Sequence, residues 1–323
     1  MAINLRDLSK KRELLAGGHT ACSGCAGPVL IRQILFAAEH PVVCGCATGC
    51  MEVATTIYPY TAWRVPFIHC AFENSAATVS GVEAAYRALK RQGKVGEEIN
   101  FIAFGGDGGT YDIGLQSLSG ALERGHKMLY VCYDNEAYMN TGIQRSSATP
   151  RGAWTTTAPV GDVQIGKAQH RKDLTAIVIA HNPAYAAQAS VHNPRDLMAK
   201  VQKALAKDGP SFLNVLTPCH RGWRIKPEDS IEIAKVAVET CFWPLFEWEN
   251  GKYTVNYKPK QKKAIEEWLK PQGRFAHLFE PKNRHLIAEL QAEVDQQWER
   301  LLALEALTGS TPATGKEQQG AGS

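Results

Sequence analysis

The chain has 323 residues, 44% of them hydrophobic, enough to bury one large α/β domain with an appendage, or two domains. A net charge of +4, with dispersed lysines and arginines, is too small to point to nucleic acid. No run of about eighteen apolar residues is present to span a membrane, and nine cysteines without an apolar signal core at the N-terminus imply a reducing cytoplasm.

In chain order, the first informative stretch is Cys22-Ser-Gly-Cys25, a close pair that suits a redox couple, a zinc knuckle, cluster ligands or two buried thiols. Pro28 to Glu39 predicts a helix, with proline tolerated in the first turn and Ile31, Ile34 and Leu35 on one face. Pro41-Val-Val-Cys44 begins a sheet, and Cys50 closes Ala47-Thr-Gly-Cys50. Arg64, His69, Glu73 and Asn74 form a polar group that serves a site, caps the following helix or meets a partner subunit. That helix, Ser75 to Lys90, carries Val79, Val82, Ala85, Tyr86 and Leu89 at core-packing spacing.

Phe101 to Phe104 reads as a buried strand, Asp112 to Glu123 as a helix and Met128 to Tyr133 as the next strand. Gly106-Asp107-Gly108 and Asn135 therefore both fall just beyond strand ends, where open α/β sheets bind ligands. A carboxylate and an amide oxygen brought together there suit Mg2+, a hard octahedral ion that completes its shell with phosphate and water. Gly105, Gly106, Gly108 and Gly109 let the backbone approach a diphosphate and offer it N–H donors. The plainer reading is an Asx turn at Asp107 and a loop opening at Asn135.

Arg145 to Lys167, rich in Ser, Thr, Pro and Gly, predicts a long loop near the site, with a disordered linker as the alternative. Pro194 to Ala206 predicts a helix and Phe212 to Leu216 a strand, followed by Thr217-Pro-Cys219-His-Arg-Gly-Trp223. Four thiolates at Cys22, Cys25, Cys50 and Cys219 can hold a tetrahedral zinc or an iron-sulfur cluster, closed by loops distant in sequence. Beyond Trp223 come a helix at Ile231 to Val238 and aromatics at Phe242, Trp243, Phe246 and Trp248 that read as a small core. A hairpin follows at Glu249-Asn-Gly-Lys252, then helices at Lys262 to Leu269 and Leu286 to Leu304. The basic run from Lys258 to Lys263 reads as the solvated start of a helix. The division expected is an α/β domain over 1–230, an extension over 231–307 that packs on the core or a sister subunit, and a disordered tail over 308–323.

Taken together, Cys22-x-x-Cys25, Ala47-Thr-Gly-Cys50-Met-Glu, Tyr58-Pro-Tyr-Thr-Ala-Trp-Arg-Val-Pro66, Ala71-Phe-Glu-Asn74, Gly106-Asp-Gly108, Asn135-Glu-Ala-Tyr-Met-Asn-Thr-Gly142 and Thr217-Pro-Cys219 resemble the thiamine-diphosphate 2-oxoacid:ferredoxin oxidoreductase family. The likeness runs from about His19 to Trp223 and is nearest the β subunits of the pyruvate branch. It implies the thiamine-diphosphate-binding fold, a mostly parallel sheet flanked by helices, plus the C-terminal extension. It implies Mg2+ held by Asp107, the Asn135 side chain and the Ala137 carbonyl, and one [4Fe-4S] cluster held by Cys22, Cys25, Cys50 and Cys219. Cys44, Cys46 and Cys70 lie outside that ligand set and read as buried thiols. Asn140 and Thr141 would reach the thiazolium side, with Asn140 hydrogen bonding the substrate carboxylate or developing oxyanion. The sequence departs from the common motif, which ends in Asn-Asn, at Glu136.

The implied activity is oxidative decarboxylation of a 2-oxo acid, pyruvate by default, with coenzyme A, electrons passing to ferredoxin. Alternatives are an aromatic or branched 2-oxo acid such as phenylglyoxylate with NAD as final acceptor, a non-redox thiamine lyase or synthase, and a zinc-stabilised scaffold. Only one Gly-Asp-Gly unit is present and no Cys-x-x-Cys-x-x-Cys run. The pyrimidine-binding domain with its catalytic glutamate is therefore expected on an α subunit, and onward electron transfer on γ and ferredoxin-like δ subunits or their equivalents.

Overall fold

A computed structural model describes residues 5–8 and 10–309. Its centre is an eight-stranded sheet built from β1 (Val42–Ala47), β2 (Phe67–Cys70), β3 (Asn100–Gly106), β4 (Leu129–Asp134), β5 (Tyr185–Ser190), β6 (Ser211–Leu216), β7 (Phe246–Glu249) and β8 (Lys252–Val255). The spatial order is β2-β1-β3-β4-β6-β5-β7-β8. The first six strands of that order pair in parallel, and β7 and β8 add an antiparallel hairpin to the β5 edge. The order turns back at β1, with β2 on one side and β3 on the other. A crevice therefore opens beyond the carboxyl ends of β1 and β3.

Helices cover both faces. In chain order they are α1 (Leu5–Leu8), α2 (Ala26–Ala37), α3 (Cys50–Thr55), α4 (Ser75–Arg91), α5 (Leu115–Glu123), α6 (Leu174–Ile179), α7 (Pro194–Leu205), α8 (His220–Trp223), α9 (Ser230–Glu239), α10 (Ile265–Leu269) and α11 (His285–Gly309). The predicted helix over Asp112 to Glu123 divides. A π-helical turn occupies Gly108–Ile113, and regular α-helix resumes at Leu115. Sheet strands buried on both faces read as continuous apolar runs, which is why β3, β4 and β6 are visible in sequence.

One large apolar core joins α2, α7 and the sheet to Trp223, Trp243, Trp268 and Phe275. The aromatics after residue 230 are thus continuous with the sheet's core: Trp243 Nε1 donates to the Ala189 carbonyl at 2.7 Å, and Phe242 stacks on Trp268 at 4.0 Å. Arg145 to Lys167 forms an ordered series of turns and bridges against the site. Thr308 and Gly309 close α11, and the rest of the expected tail lies outside the described residues. No helix among the described residues is long and apolar enough to cross a membrane.

Candidate functional site

Asp107 leaves the end of β3 fully buried. Its Oδ1 accepts the Asn135 N–H at 3.2 Å, and its Oδ2 accepts the Ser146 hydroxyl. Burial, with Asp134 close by, pushes its carboxyl well above the usual range. Ser146, the Asn135 N–H and Arg171 pull it back. A second cation within reach would complete that compensation.

Beside Asp107, the Asn135 side-chain amide stands 2.8 Å from the Ala137 carbonyl and 3.0 Å from Asp107 Oδ1. Neighbouring oxygens in an octahedral shell with Mg2+–O bonds of 2.0–2.1 Å stand about 2.9 Å apart. Turned over, the amide nitrogen would donate to both oxygens, the arrangement suited to a metal-free site. Among the described residues no three His, Cys, Asp or Glu side chains converge on one ion, and this site draws on a single carboxylate.

The loop geometry depends on Gly108. A Cβ there would stand 2.4 Å from the Tyr138 ring, whose hydroxyl donates to the Gly108 carbonyl at 2.8 Å. Gly106, Gly108, Asn135, Ala137, Asn140 and Thr141 line one small cleft together with Cys50 and Tyr133. Asn140 is exposed at the lip, and its amide makes no hydrogen bond among the described residues. Thr141 is exposed beside it and bonded to Gln144.

Three segments carry the four predicted cysteines, Cys22 and Cys25 on one turn, then Cys50 and Cys219, near enough to interact electrostatically, but among the described residues no three or more His, Cys, Asp or Glu side chains are placed to hold one metal ion. The Cys50 thiol is pushed up by burial and further by Cys219, Cys25 and Cys22. Cys25 is pushed up to about 11 by burial, opposed by the Gly27 N–H, with Cys219 and Cys22 adding to the rise. Three of them begin helices: Cys25 caps α2 and accepts Gly27 N–H at 3.4 Å, Cys219 caps α8 and accepts Gly222 N–H at 3.4 Å, and Cys50 opens α3. N–H groups aimed at sulfur stabilise its anionic, ligating form. Cys22 is exposed at the rim, and the Cys22–Cys25 turn needs Gly24, whose φ is +78° and whose Cβ would stand 2.6 Å from Pro227. Cys44, Cys46 and Cys70 are buried in the β1–β2 region, and none of the nine cysteines is in a disulfide.

Several residues around the site were not legible in the sequence. Glu136 is fully buried at φ +69°, a left-handed conformation that costs a non-glycine residue about 1–3 kcal/mol. It is held there by Arg171 Nη1 on Oε1 at 3.0 Å, by Arg274 on Oε2, and by Thr149, whose hydroxyl donates to the Glu136 carbonyl at 2.6 Å. Arg171 also clamps Asp134 and receives no help from sequence proximity. Trp223 Nε1 donates to the Asn135 carbonyl at 2.8 Å, tying the Cys219 loop to the metal loop. The one available signal was Glu136 itself: a buried acid in place of the usual amide demands a cation from elsewhere. In the polar group ahead of α4, His69 pairs with Glu52 at 3.2 Å, and Asn74 occupies the N-cap position without capping through its side chain. A cavity of about 360 Å³ lined by Arg171 and by residues of α11 contains none of the predicted site residues.

Comparison with known proteins identifies the family and the fold. The family described as the C-terminal TPP-binding domain of thiamine pyrophosphate enzymes matches residues 44–215. Pyruvate synthase subunit PorB of Thermotoga maritima is 56% identical, over 97% of this chain and 99% of its own length. The subunit of the same name from Methanocaldococcus jannaschii is 51% identical over 89% of this chain and 96% of its own. Ketoisovalerate oxidoreductase subunit VorB of Pyrococcus abyssi is 47% identical over 90% and 93%. Among solved structures, a 2-oxoglutarate:ferredoxin oxidoreductase from Magnetococcus marinus shares the fold, with a TM-score of 0.53 at 17% identity over 69% of this chain and 79% of that one.

Proposed function

The chain belongs to the family of pyruvate synthase PorB subunits, and we propose that it is the subunit in which thiamine diphosphate, Mg2+ and one [4Fe-4S] cluster meet for the CoA-dependent oxidative decarboxylation of a 2-oxo acid. The observation that supports the reading is the approach of the Asn135 amide to Asp107 Oδ1 and the Ala137 carbonyl, at 3.0 and 2.8 Å, with Asn135 and Ala137 lining one cleft together with Cys50. Pyruvate is the substrate favoured by the relatives' names. A branched 2-oxo acid is the second reading, supported by the likeness to a ketoisovalerate oxidoreductase subunit.

Asp107, the Asn135 amide and the Ala137 carbonyl would hold Mg2+, with Gly106 and Gly108 letting the backbone approach the diphosphate. Cys22, Cys25, Cys50 and Cys219 would hold the cluster, with backbone N–H groups already meeting the Cys25 and Cys219 sulfurs. Bound there, these groups would supply a sink for the electron pair left when CO2 departs and a means of withdrawing it one electron at a time. Asn140, unpaired at the cleft lip, would orient the substrate carboxylate or oxyanion, with Thr141 beside it.

The remaining parts are assigned to partners. An α subunit would bring the pyrimidine-binding domain and its glutamate, and γ and ferredoxin-like δ subunits would carry electrons to ferredoxin or an NAD-linked acceptor. Tyr58 and Tyr60, 94% and 79% exposed, offer apolar surface of the kind a partner covers. Nine unpaired cysteines suit a reducing cytoplasm.

Asp107→Ala tests the metal assignment. In the native complex it should weaken thiamine diphosphate binding on the order of tenfold or more while leaving iron content near normal. Unchanged cofactor affinity would defeat the assignment.

A further inference from the structure

One side chain in the cleft is explained neither by the motifs nor by packing. Tyr133, next to last in β4, is 2% exposed and lines the same small cleft as Gly106, Gly108, Asn135 and Asn140. Its hydroxyl is buried and completes no hydrogen bond among the described residues. The Met51 N–H faces the phenol oxygen as a donor, so what the group lacks is an acceptor for its own proton. Buried polar groups are almost always paired, and each exception calls for a cause.

Two glycines make room for this hydroxyl. A Cβ on Gly49 would stand 2.5 Å from the phenol oxygen, and one on Gly106 would stand 3.1 Å from the ring. The ring belongs to the main apolar core, in register with Gly106 of β3 and Val215 of β6. Phenylalanine would supply the same ring, so packing accounts for the ring and leaves the oxygen unexplained.

A buried O–H donor without an acceptor suits a ligand rich in acceptors. Within thiamine diphosphate the strong, charged acceptors are the phosphate oxygens, whereas the thiazolium ring carries positive charge and draws no O–H donor. Gly108 and Gly109, where backbone can approach a phosphate, line the same cleft. We propose that Tyr133 is a cofactor-binding residue whose hydroxyl donates to a phosphate oxygen of bound thiamine diphosphate. This rests on the functional reading above and adds to it a donor on β4, outside the Gly-Asp-Gly motif. Without the cofactor the buried hydroxyl destabilises the fold; with it, the group is satisfied.

The test compares wild type with Tyr133→Phe, which removes only the oxygen, in native complex freed of thiamine diphosphate and supplied with Mg2+. Calorimetric titration should show the dissociation constant for thiamine diphosphate raised about tenfold. The cofactor-free variant should melt at the wild-type temperature or above it, because the atom removed had no acceptor. Added thiamine diphosphate should then raise the melting temperature of the variant less than that of wild type. An unchanged dissociation constant overturns the proposal, as does a cofactor-free variant that melts below wild type, since the hydroxyl would then be structural. A variant that keeps its cofactor affinity and only raises the KM for the 2-oxo acid also overturns it and assigns the hydroxyl to the substrate. Wild-type complex that binds no thiamine diphosphate overturns the functional reading along with this proposal, whereas wild-type affinity in Asp107→Ala defeats the metal assignment and leaves Tyr133 standing.

Discussion

Asp107, Asp134 and Glu136 are three fully buried carboxylates at the ends of the neighbouring strands β3 and β4, and they coexist because Arg171 and Arg274 are drawn in beside them. Lys167 is buried nearby, but its ammonium faces only the Ser147 and Thr149 carbonyls. Burial, with Arg171 and Arg145 close by, lowers its pKa from the ordinary 10.5 to about 8. Between those values the unfolded chain binds more protons than the folded one, so this group makes stability rise with pH across that window. Urea unfolding at pH 8 and pH 10 should therefore show a smaller upward contribution in Lys167→Met than in wild type. Equal pH dependence of the two proteins would contradict the placement. Asp107, Asn135 and the cysteines stand out in the sequence because each sits in a short motif with its own chemistry. Ser146, Arg171 and Arg274 do not, because they reach the site from 39, 37 and 138 residues away from Asp107, Asp134 and Glu136 respectively, and only the folded sheet brings them there.

Among the elements, the turn after β3 is the least tolerant. Gly108–Ile113 is wound as a π-helix, with the Gly114 N–H bonded to the Gly109 carbonyl at 2.6 Å, and such turns recur at functional sites. Gly108→Val would drive a side chain into the Tyr138 ring and break the Tyr138 bond to the Gly108 carbonyl. Thiamine diphosphate binding should fall by at least about tenfold, since the donors facing the diphosphate would move. Retained affinity, measured by calorimetry on the native complex, would show that the turn does not carry the diphosphate. The strands illustrate why parts of the sheet escape a reading of sequence. β3, β4 and β6 are wholly or nearly buried runs of apolar and β-branched residues. β5 is Tyr-Ala-Ala-Gln-Ala-Ser, weak in β-propensity, and it is a strand because β6 and β7 pair with it on both sides. β2 is a four-residue edge with only Cys70 buried, too short to show alternation.

At the scale of the whole molecule, the strand order places the β1–β3 switch point, the end of β4 and the end of β6 at one rim. Cys50, Asp107, Asn135 and Cys219 each follow a different one of those strands. This is how residues far apart in the chain reach one rim of the sheet. The antiparallel hairpin and α10–α11 complete the sheet edge and bring Arg274 back to that rim. The most direct measurement is electron paramagnetic resonance on anaerobically purified native complex, with iron, sulfide and thiamine quantified, before and after a panel of 2-oxo acids is added with coenzyme A. The account predicts bound thiamine with a [4Fe-4S] cluster at these cysteines, reduced when pyruvate is added. Thiamine present with no iron at Cys22, Cys25, Cys50 and Cys219, or a cluster there that no 2-oxo acid reduces, would contradict it.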